Sequence, residues 1–376
     1  MKQNDSRACN MNFPQNKKHQ PVAVDLFCGG GGLTVGLKKA GFTVAAAVEI
    51  EPAAASTFQI NHPGTKLFIQ DIRHVSGKDL LAQSPTGTID LLSGCPPCQG
   101  FTSLTAKYKR DDPRNALVNE MLRLIKETLP KAVMMENVPG LALRGKHLLD
   151  PMCSQLEGLG YKITLNVLQV ADYGIPQFRK RLVLLAGRGF SISMPKPTHS
   201  STGANGLPMW KTVREAISHY PAPITFSEAK LLGKLPSREW HVVRDLSAQN
   251  VARLQAATPG TSWENIPESL RPPCHQGKYR GFSNVYGRME WDKVSPTITG
   301  GCTTLSRGRY GHPTENRTIS VREAATLQTF PEDYIFDTQY MDKVCNIIGN
   351  ALPCEFAQQI ASQCLHAMQS AGRIPA

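Results

Sequence analysis

No apolar run in the 376-residue chain approaches the roughly 18 residues that would span a bilayer. Residues 1–20 are polar and Asn-rich and lack the apolar core of a secretory signal, so a cytoplasmic protein is expected. The ten cysteines form no dense framework, and a chain of this length needs no covalent staples, so reduced thiols are expected. Internal repeats are absent. Acid is the scarcer charge: 30 Asp+Glu against 42 Lys+Arg leave a net +12. Hydrophobic residues at 41% and charged ones at 19% exclude disordered and membrane compositions. The length suits about two domains with a well-buried core. The positive surplus is uneven, because residues 188–316 carry 16 basic and 9 acidic side chains whereas 317–376 carry 4 and 6. Such a middle segment suits a polyanionic partner, although ordinary solvated faces carry similar surpluses.

The first half alternates short apolar runs with helical spacing. Pro21–Phe27 ends in the glycine cluster Gly29–Gly32, and Leu33–Ala40 has helical spacing that stops at Gly41. Thr43–Val48 ends at Glu49, Pro52–Ile60 is helix-like, and Leu67–Ile69 reaches Asp71. Ile89–Leu92 closes on Gly94, Ala132–Met135 ends at Glu136, and Leu182–Ala186 is the last run. This alternation predicts an α/β fold with a mostly parallel sheet and helices on both faces. Ligands of such sheets bind beyond the carboxyl ends of the strands, where Asp25, Phe27, Glu49, Asp71, Cys95, Cys98 and Glu136 all fall. From Gly187 the texture becomes proline-punctuated, so 188–315 reads as a second, irregular domain. Arg317–Phe330 and Cys354–Met368 are helical again.

Three constellations carry chemistry. The loop Asp25–Gly32 lets a ligand approach backbone amides at a helix start, but it lacks the strict dinucleotide glycine spacing and a Walker lysine. Glu49 stands where a carboxylate grips a ribose diol, and Asp71 can accept from an adenine amino group. These positions point to an adenosine-containing cofactor without an obligatory pyrophosphate; a purely structural turn is the plainer alternative. Gly94-Cys95-Pro96-Pro97-Cys98-Gln99 admits half a zinc site, a redox dithiol, or a single nucleophilic thiolate on a proline-stiffened loop, beside a pair of inert buried cysteines. No second Cys or Cys/His pair completes a zinc site. Glu136 leaves a buried strand, where desolvation favours a protonated acid. Arg179 and Arg181 alternate with their neighbours and project to one side, as a phosphate or base-carbonyl clamp or as an ordinary surface pair.

In this order the motifs resemble the C5-cytosine DNA methyltransferases of prokaryotic restriction-modification systems, nearly end to end. Asp25–Gly32, Pro96-Pro97-Cys98-Gln99, Asp112–Leu117, Glu136-Asn137-Val138, Gln177–Arg181, Arg317–Pro331 and Gly349-Asn350-Ala351 carry the likeness. The resemblance implies a Rossmann-like catalytic domain at 21–187 that binds S-adenosylmethionine, after a flexible segment at 1–20. It implies a target-recognition domain at 188–315 and a returning segment at 316–376. Cofactor contacts would come from Phe27, Gly29, Gly31, Leu33, Glu49, Ile50, Asp71, Ile72, Pro97, Leu117, Asn350 and Ala351. Ile50 departs from the aromatic residue common there.

The same likeness makes Cys98 the nucleophile, Glu136 the acid at cytosine N3, and Arg181, with Arg179, the clamp at O2. Cys95 becomes a packing residue, and no metal is expected. Thiolate addition at C6 makes C5 nucleophilic toward a sulfonium methyl, leaving S-adenosylhomocysteine as product. The target base must leave the duplex to be reached. Lys107, Lys109 and Arg110 would hold the DNA backbone after the catalytic loop, and Arg271, Lys278, Arg280, Arg307 and Arg309 are candidate contacts further on. Double-stranded DNA is the implied partner of a nucleoid-associated monomer, with a cognate restriction endonuclease acting on the same site without stable binding. The alternatives are a tRNA cytosine methyltransferase, whose Cys-Phe-Thr signature is matched here only by Cys302-Thr303-Thr304, and a catalytically silent DNA-binding module.

Overall fold

The computed structural model describes residues 20–97, 116–233, 240–276 and 282–375. Among these, one seven-stranded sheet comprises β1 (Val22–Leu26), β2 (Thr43–Glu49), β3 (Lys66–Ile69), β4 (Leu91–Gly94), β5 (Ala132–Asn137), β6 (Tyr161–Gln169) and β7 (Lys180–Arg188). Their order across the sheet is β3-β2-β1-β4-β5-β7-β6. The first five run parallel, and β7 lies antiparallel to both β5 and β6. The mostly parallel α/β sheet expected from the sequence is therefore present. β6 was not among the expected strands. It is a half-exposed edge strand interrupted by Lys162 and Asn166, so it shows no continuous apolar run.

The inner strands β1, β4, β5 and β7 are buried on both faces, which is why they read as unbroken apolar runs. The period of two still sorts their side chains. Val24, Leu26, Leu182 and Leu184 enter one core, while Ala23, Val183 and Leu185 enter the other. Among the helices of the described residues are α1 (Gly32–Lys39), α2 (Pro52–Asn61), α3 (Leu117–Thr128), α4 (Lys146–Gly158), α5 (Val213–Ile217), α6 (Ala248–Ala256), α7 (Val321–Leu327), α8 (Met341–Asn350) and α9 (Cys354–Ser370). α3 and α4 cover the first face through Val118, Met121, Ile125, Met152 and Leu156. The second face is covered by Leu33 and Leu37 of α1 together with Phe356 and Ile360 of α9. Each such buried Leu, Ile or Phe contributes about 1.5–3 kcal/mol. α1 and α9 approach so closely that a Cβ at Gly36 would lie 2.5 Å from that of Ala357.

The described residues between 189 and 316 contain little regular structure by comparison. Two parallel strands of two residues each, Ile224–Thr225 and Val242–Val243, pair there. Val213, Ile217, Trp240, Met289, Ile298 and Tyr310 share one apolar cluster with Val321 and Leu327 of α7 and Ile348 of α8. Guanidinium groups stand in for ladder bonds. Buried Arg288 donates from Nε to the Leu254 and Ala257 carbonyls (2.9 and 3.1 Å) and from Nη1 to those of His312 and Glu315 (2.8 and 2.5 Å). A carbonyl outside a ladder still needs a donor when it is buried, and arginine supplies five. No helix among the described residues is long and apolar enough to cross a membrane.

Candidate active site

The strand order turns back between β1 and β4, opening the crevice where ligands bind such sheets. β1 runs into Phe27, whose φ of 58° is unusual for a residue with a Cβ and redirects the chain into the glycine loop. The Gly29 amide donates to Glu49 Oε2 at 2.8 Å, and the Ile50 and Glu51 amides donate to Oε1 at 2.9 and 2.7 Å. Three amides thus fix the carboxylate at the end of β2 while leaving it spare acceptor capacity. Burial pushes the Glu49 carboxyl upward, and those same amides pull against it. Beneath the loop, buried Asp25 accepts from Thr34 Oγ1 at 2.6 Å, and burial lifts its carboxyl to about 7. Asp71 follows β3 and caps a short turn by accepting from the Arg73 amide at 3.0 Å.

Other expected cofactor contacts divide by where their side chains go. Ile50 is 60% exposed at the crevice side of β2, and Asn350 is exposed at the end of α8. Pro97, Leu117 and Ala351 are partly buried. The side chains of Leu33 and Ile72 are instead committed to the two cores, so these residues offer a ligand only their backbones. Gly31 has a φ of 95° and caps α1, whose first amides have no partner within the helix.

At the ends of β4 and β5, Glu136 is 7% exposed and meets Arg181, with Nε 2.5 Å from Oε1. Its neighbour Asn137 donates from Nδ2 to the Pro96 carbonyl at 3.0 Å, fixing the start of the proline loop against β5. Burial, and secondly the Glu136 charge, push the Cys95 thiol well above its ordinary value. A thiol held protonated in this way is a poor nucleophile. Cys98 lies outside the described residues, as do Lys107, Lys109, Arg110, Lys278 and Arg280.

Arg179, expected beside Arg181 in the catalytic clamp, meets backbone carbonyls. It is 3% exposed, and its Nη atoms donate to the carbonyls of Ile298 (2.7 Å), Gly349 (3.2 Å) and Ala351 (3.2 Å). A guanidinium held by backbone carbonyls has little left for a base. Gln177 joins the same seam, accepting from the Ile298 amide at 2.9 Å and donating to Gln328 Oε1 at 2.7 Å. Gln328 in turn donates to the Ile348 carbonyl at 2.6 Å. The Gln-x-Arg-x-Arg run thus ties the sheet to 298 and 348–351, with Arg181 alone turned to Glu136.

Two expected DNA contacts also act as staples. Arg271 donates to the Ile266 and Glu264 carbonyls (2.9 and 2.8 Å) and lies over the Trp263 ring, while Arg309 donates to Gly260 (2.6 Å). Arg307 is exposed. Asn137 and Gln328 had no assigned role in the sequence reading. Their signal was position, next to the acid and inside the late helical motif. Cys302 and Thr303 are fully buried, so the partial Cys-Thr-Thr likeness to the tRNA enzymes presents neither side chain to a substrate.

A Rossmann-like sheet with a carboxylate fixed at the end of β2 has the architecture of the α/β proteins that bind adenosine-containing cofactors. The same fold occurs in a DNA modification methyltransferase encoded within an E. coli prophage, with a TM-score of 0.70 at 23% identity over 93% of this chain and 99% of that one. It also occurs in the S. pombe Dnmt2 methyltransferase, with a TM-score of 0.60 at 18% identity over 92% and 98% of the two chains. A model of the C-5 cytosine-specific DNA methylase family matches residues 22–366. The chain is 38% identical to the Type II methylase M.HgiDII of Herpetosiphon aurantiacus, over 90% of this chain and 94% of that protein. It is 35% identical to the Type II methyltransferase M1.HphI of Haemophilus parahaemolyticus, over 91% and 86%. The chain belongs to the C-5 cytosine-specific DNA methylase family.

Proposed function

We propose that this enzyme methylates C5 of a cytosine turned out of a specific double-stranded DNA sequence, through a covalent bond between the Cys98 sulfur and C6. The observation that carries the reading is the buried Glu136–Arg181 pair at the end of β5, one residue from the Asn137 side chain that anchors Pro96. Cys98 as thiolate adds to C6, and the displaced ring electrons make C5 nucleophilic. Glu136 at N3 and Arg181 at O2 stabilise the charge that develops on the ring. S-adenosylmethionine, when bound, supplies an electrophilic methyl group. The amide-fixed Glu49 suits its ribose diol, and Asp71 suits its adenine amino group. After transfer a base takes the C5 proton, the S–C6 bond breaks, and Cys98 leaves as thiolate. Turning the base out costs a few kcal/mol, returned through contacts to the duplex.

On this reading 21–187 is the catalytic domain, 188–315 recognises the target, and 316–376 returns to the cofactor site. The enzyme acts as a monomer at the nucleoid in the cytoplasm, with a restriction endonuclease that shares its site without forming a stable complex. Labelled-methyl transfer to duplex DNA and to tRNA, assayed side by side, tests the substrate. Label on duplex DNA is expected, and label on tRNA alone overturns the reading. A duplex carrying 5-fluorocytosine tests the adduct, because fluorine cannot leave as a proton does. The protein should become cross-linked to it in the presence of the methyl donor.

A further inference from the structure

The glycine loop is held from behind by side chains that the proposed chemistry does not use. The Tyr334 hydroxyl bonds to the Gly30 carbonyl, His62 Nε2 lies 3.0 Å from that hydroxyl, and Lys38 Nζ lies 3.2 Å from His62 Nδ1. Both rings are 4% exposed and packed among Phe58, Phe330 and Phe336. The direction of every proton follows. An ammonium can only donate, so Nδ1 is the accepting nitrogen and the neutral ring carries its hydrogen on Nε2. That hydrogen goes to the Tyr334 oxygen, leaving the phenolic hydrogen for the Gly30 carbonyl. Burial, and then the Lys38 charge, hold His62 down to about 4, which keeps the ring neutral. The other end of the same peptide is also fixed, because the Gly31 amide donates to the Cys28 carbonyl at 2.9 Å. A Cβ at Gly31 would stand 2.5 Å from His62 Nε2 and 2.6 Å from the Tyr334 hydroxyl, so the relay leaves room there only for glycine.

We infer that Lys38, His62 and Tyr334 form a one-directional hydrogen-bond relay that positions the Gly30–Gly31 peptide for cofactor binding. They are positioning residues, acting through the loop and touching no substrate. The inference rests on the reading that this loop and Glu49 hold S-adenosylmethionine. Tyr334→Phe leaves the Gly30 carbonyl and the His62 Nε2 hydrogen buried without partners, a loss expected to weaken S-adenosylhomocysteine binding about tenfold. KM for the methyl donor should rise to match, with KM for duplex DNA unchanged. The test is calorimetric titration of S-adenosylhomocysteine into wild-type, Tyr334→Phe and Glu49→Ala proteins, with ring-nitrogen NMR of His62. Unchanged affinity in Tyr334→Phe, with affinity lost in Glu49→Ala, overturns the relay alone. Unchanged affinity in both overturns the cofactor reading itself. Should Tyr334→Phe fail to fold, the NMR spectrum of the unaltered enzyme decides: hydrogen on Nε2 supports the relay, and hydrogen on Nδ1 overturns it.

Discussion

The sheet-bearing part of the chain and the stretch from 189 to 316 solve the same problem by different means. In the first, backbone groups pair in ladders, and the candidate site residues sit where strands stop: Glu49 closes β2, Asp71 follows β3, and Glu136 is next to last in β5. In the second, loops are fastened by arginines that reach into carbonyls, as Arg288, Arg271 and Arg309 do. The difference bears on charge. Part of the basic surplus that invited a polyanion is spent inside the fold, so counting arginines overstates the surface offered to DNA. Among the described residues, exposed members such as Arg307 remain available for phosphates.

The largest effect should come from the ladder-built half. Cys98→Ser is expected to lower methyl transfer at least about a thousandfold without changing duplex affinity, read from single-turnover kinetics and equilibrium binding. Next comes the stapled half. Arg288→Met removes the guanidinium that bonds the Leu254, Ala257, His312 and Glu315 carbonyls and should cost about 3 kcal/mol in chemical denaturation. An unchanged midpoint would dissolve the contrast between ladders and staples. A third effect returns to the sheet. Asp25 sits near 7 in the folded protein against an ordinary value near 3.9 in an unfolded chain. The native state therefore holds this proton more tightly, and stability should fall as pH rises from about 4 to 7, by an amount on the order of a few kcal/mol. Asp25→Asn should flatten that slope, which a denaturation series across pH would reveal. The smallest effect sharpens the comparison. Arg307→Ala should leave stability unchanged, weaken duplex binding about threefold, and lower the salt dependence by about one counterion.

Legibility in the sequence followed the same divide. β1 and β5 were readable because burial on both faces leaves apolar runs, and each stops at a residue with chemistry. β6 was hidden because one of its faces meets solvent, and the reversed direction of β7 leaves no mark in a hydrophobic pattern. α3 was overlooked although Val118, Met121, Leu122 and Ile125 fall at helical spacing; it starts at Ala116 without a capping side chain. The Glu136–Arg181 pairing was legible as two motifs but not as a contact. The turning of Arg179 to Ile298, Gly349 and Ala351 was not legible, since those carbonyls come from segments more than a hundred residues away. Tyr334 and His62 likewise gave no signal, because a relay exists only once three distant elements meet.

The contact between α1 and α9 has a consequence for how the protein is made. A ribosome delivers Leu33 and Leu37 long before Phe356 and Ile360, which cover them. Until then one flank of the nascent sheet stays greasy and uncovered, a hazard for self-association that chaperones exist to manage. Gly36 then decides how smoothly the final helix docks. Gly36→Ala would set a methyl group against the Ala357 methyl and the Gln358 amide, forcing the two helices apart along the seam that covers this flank.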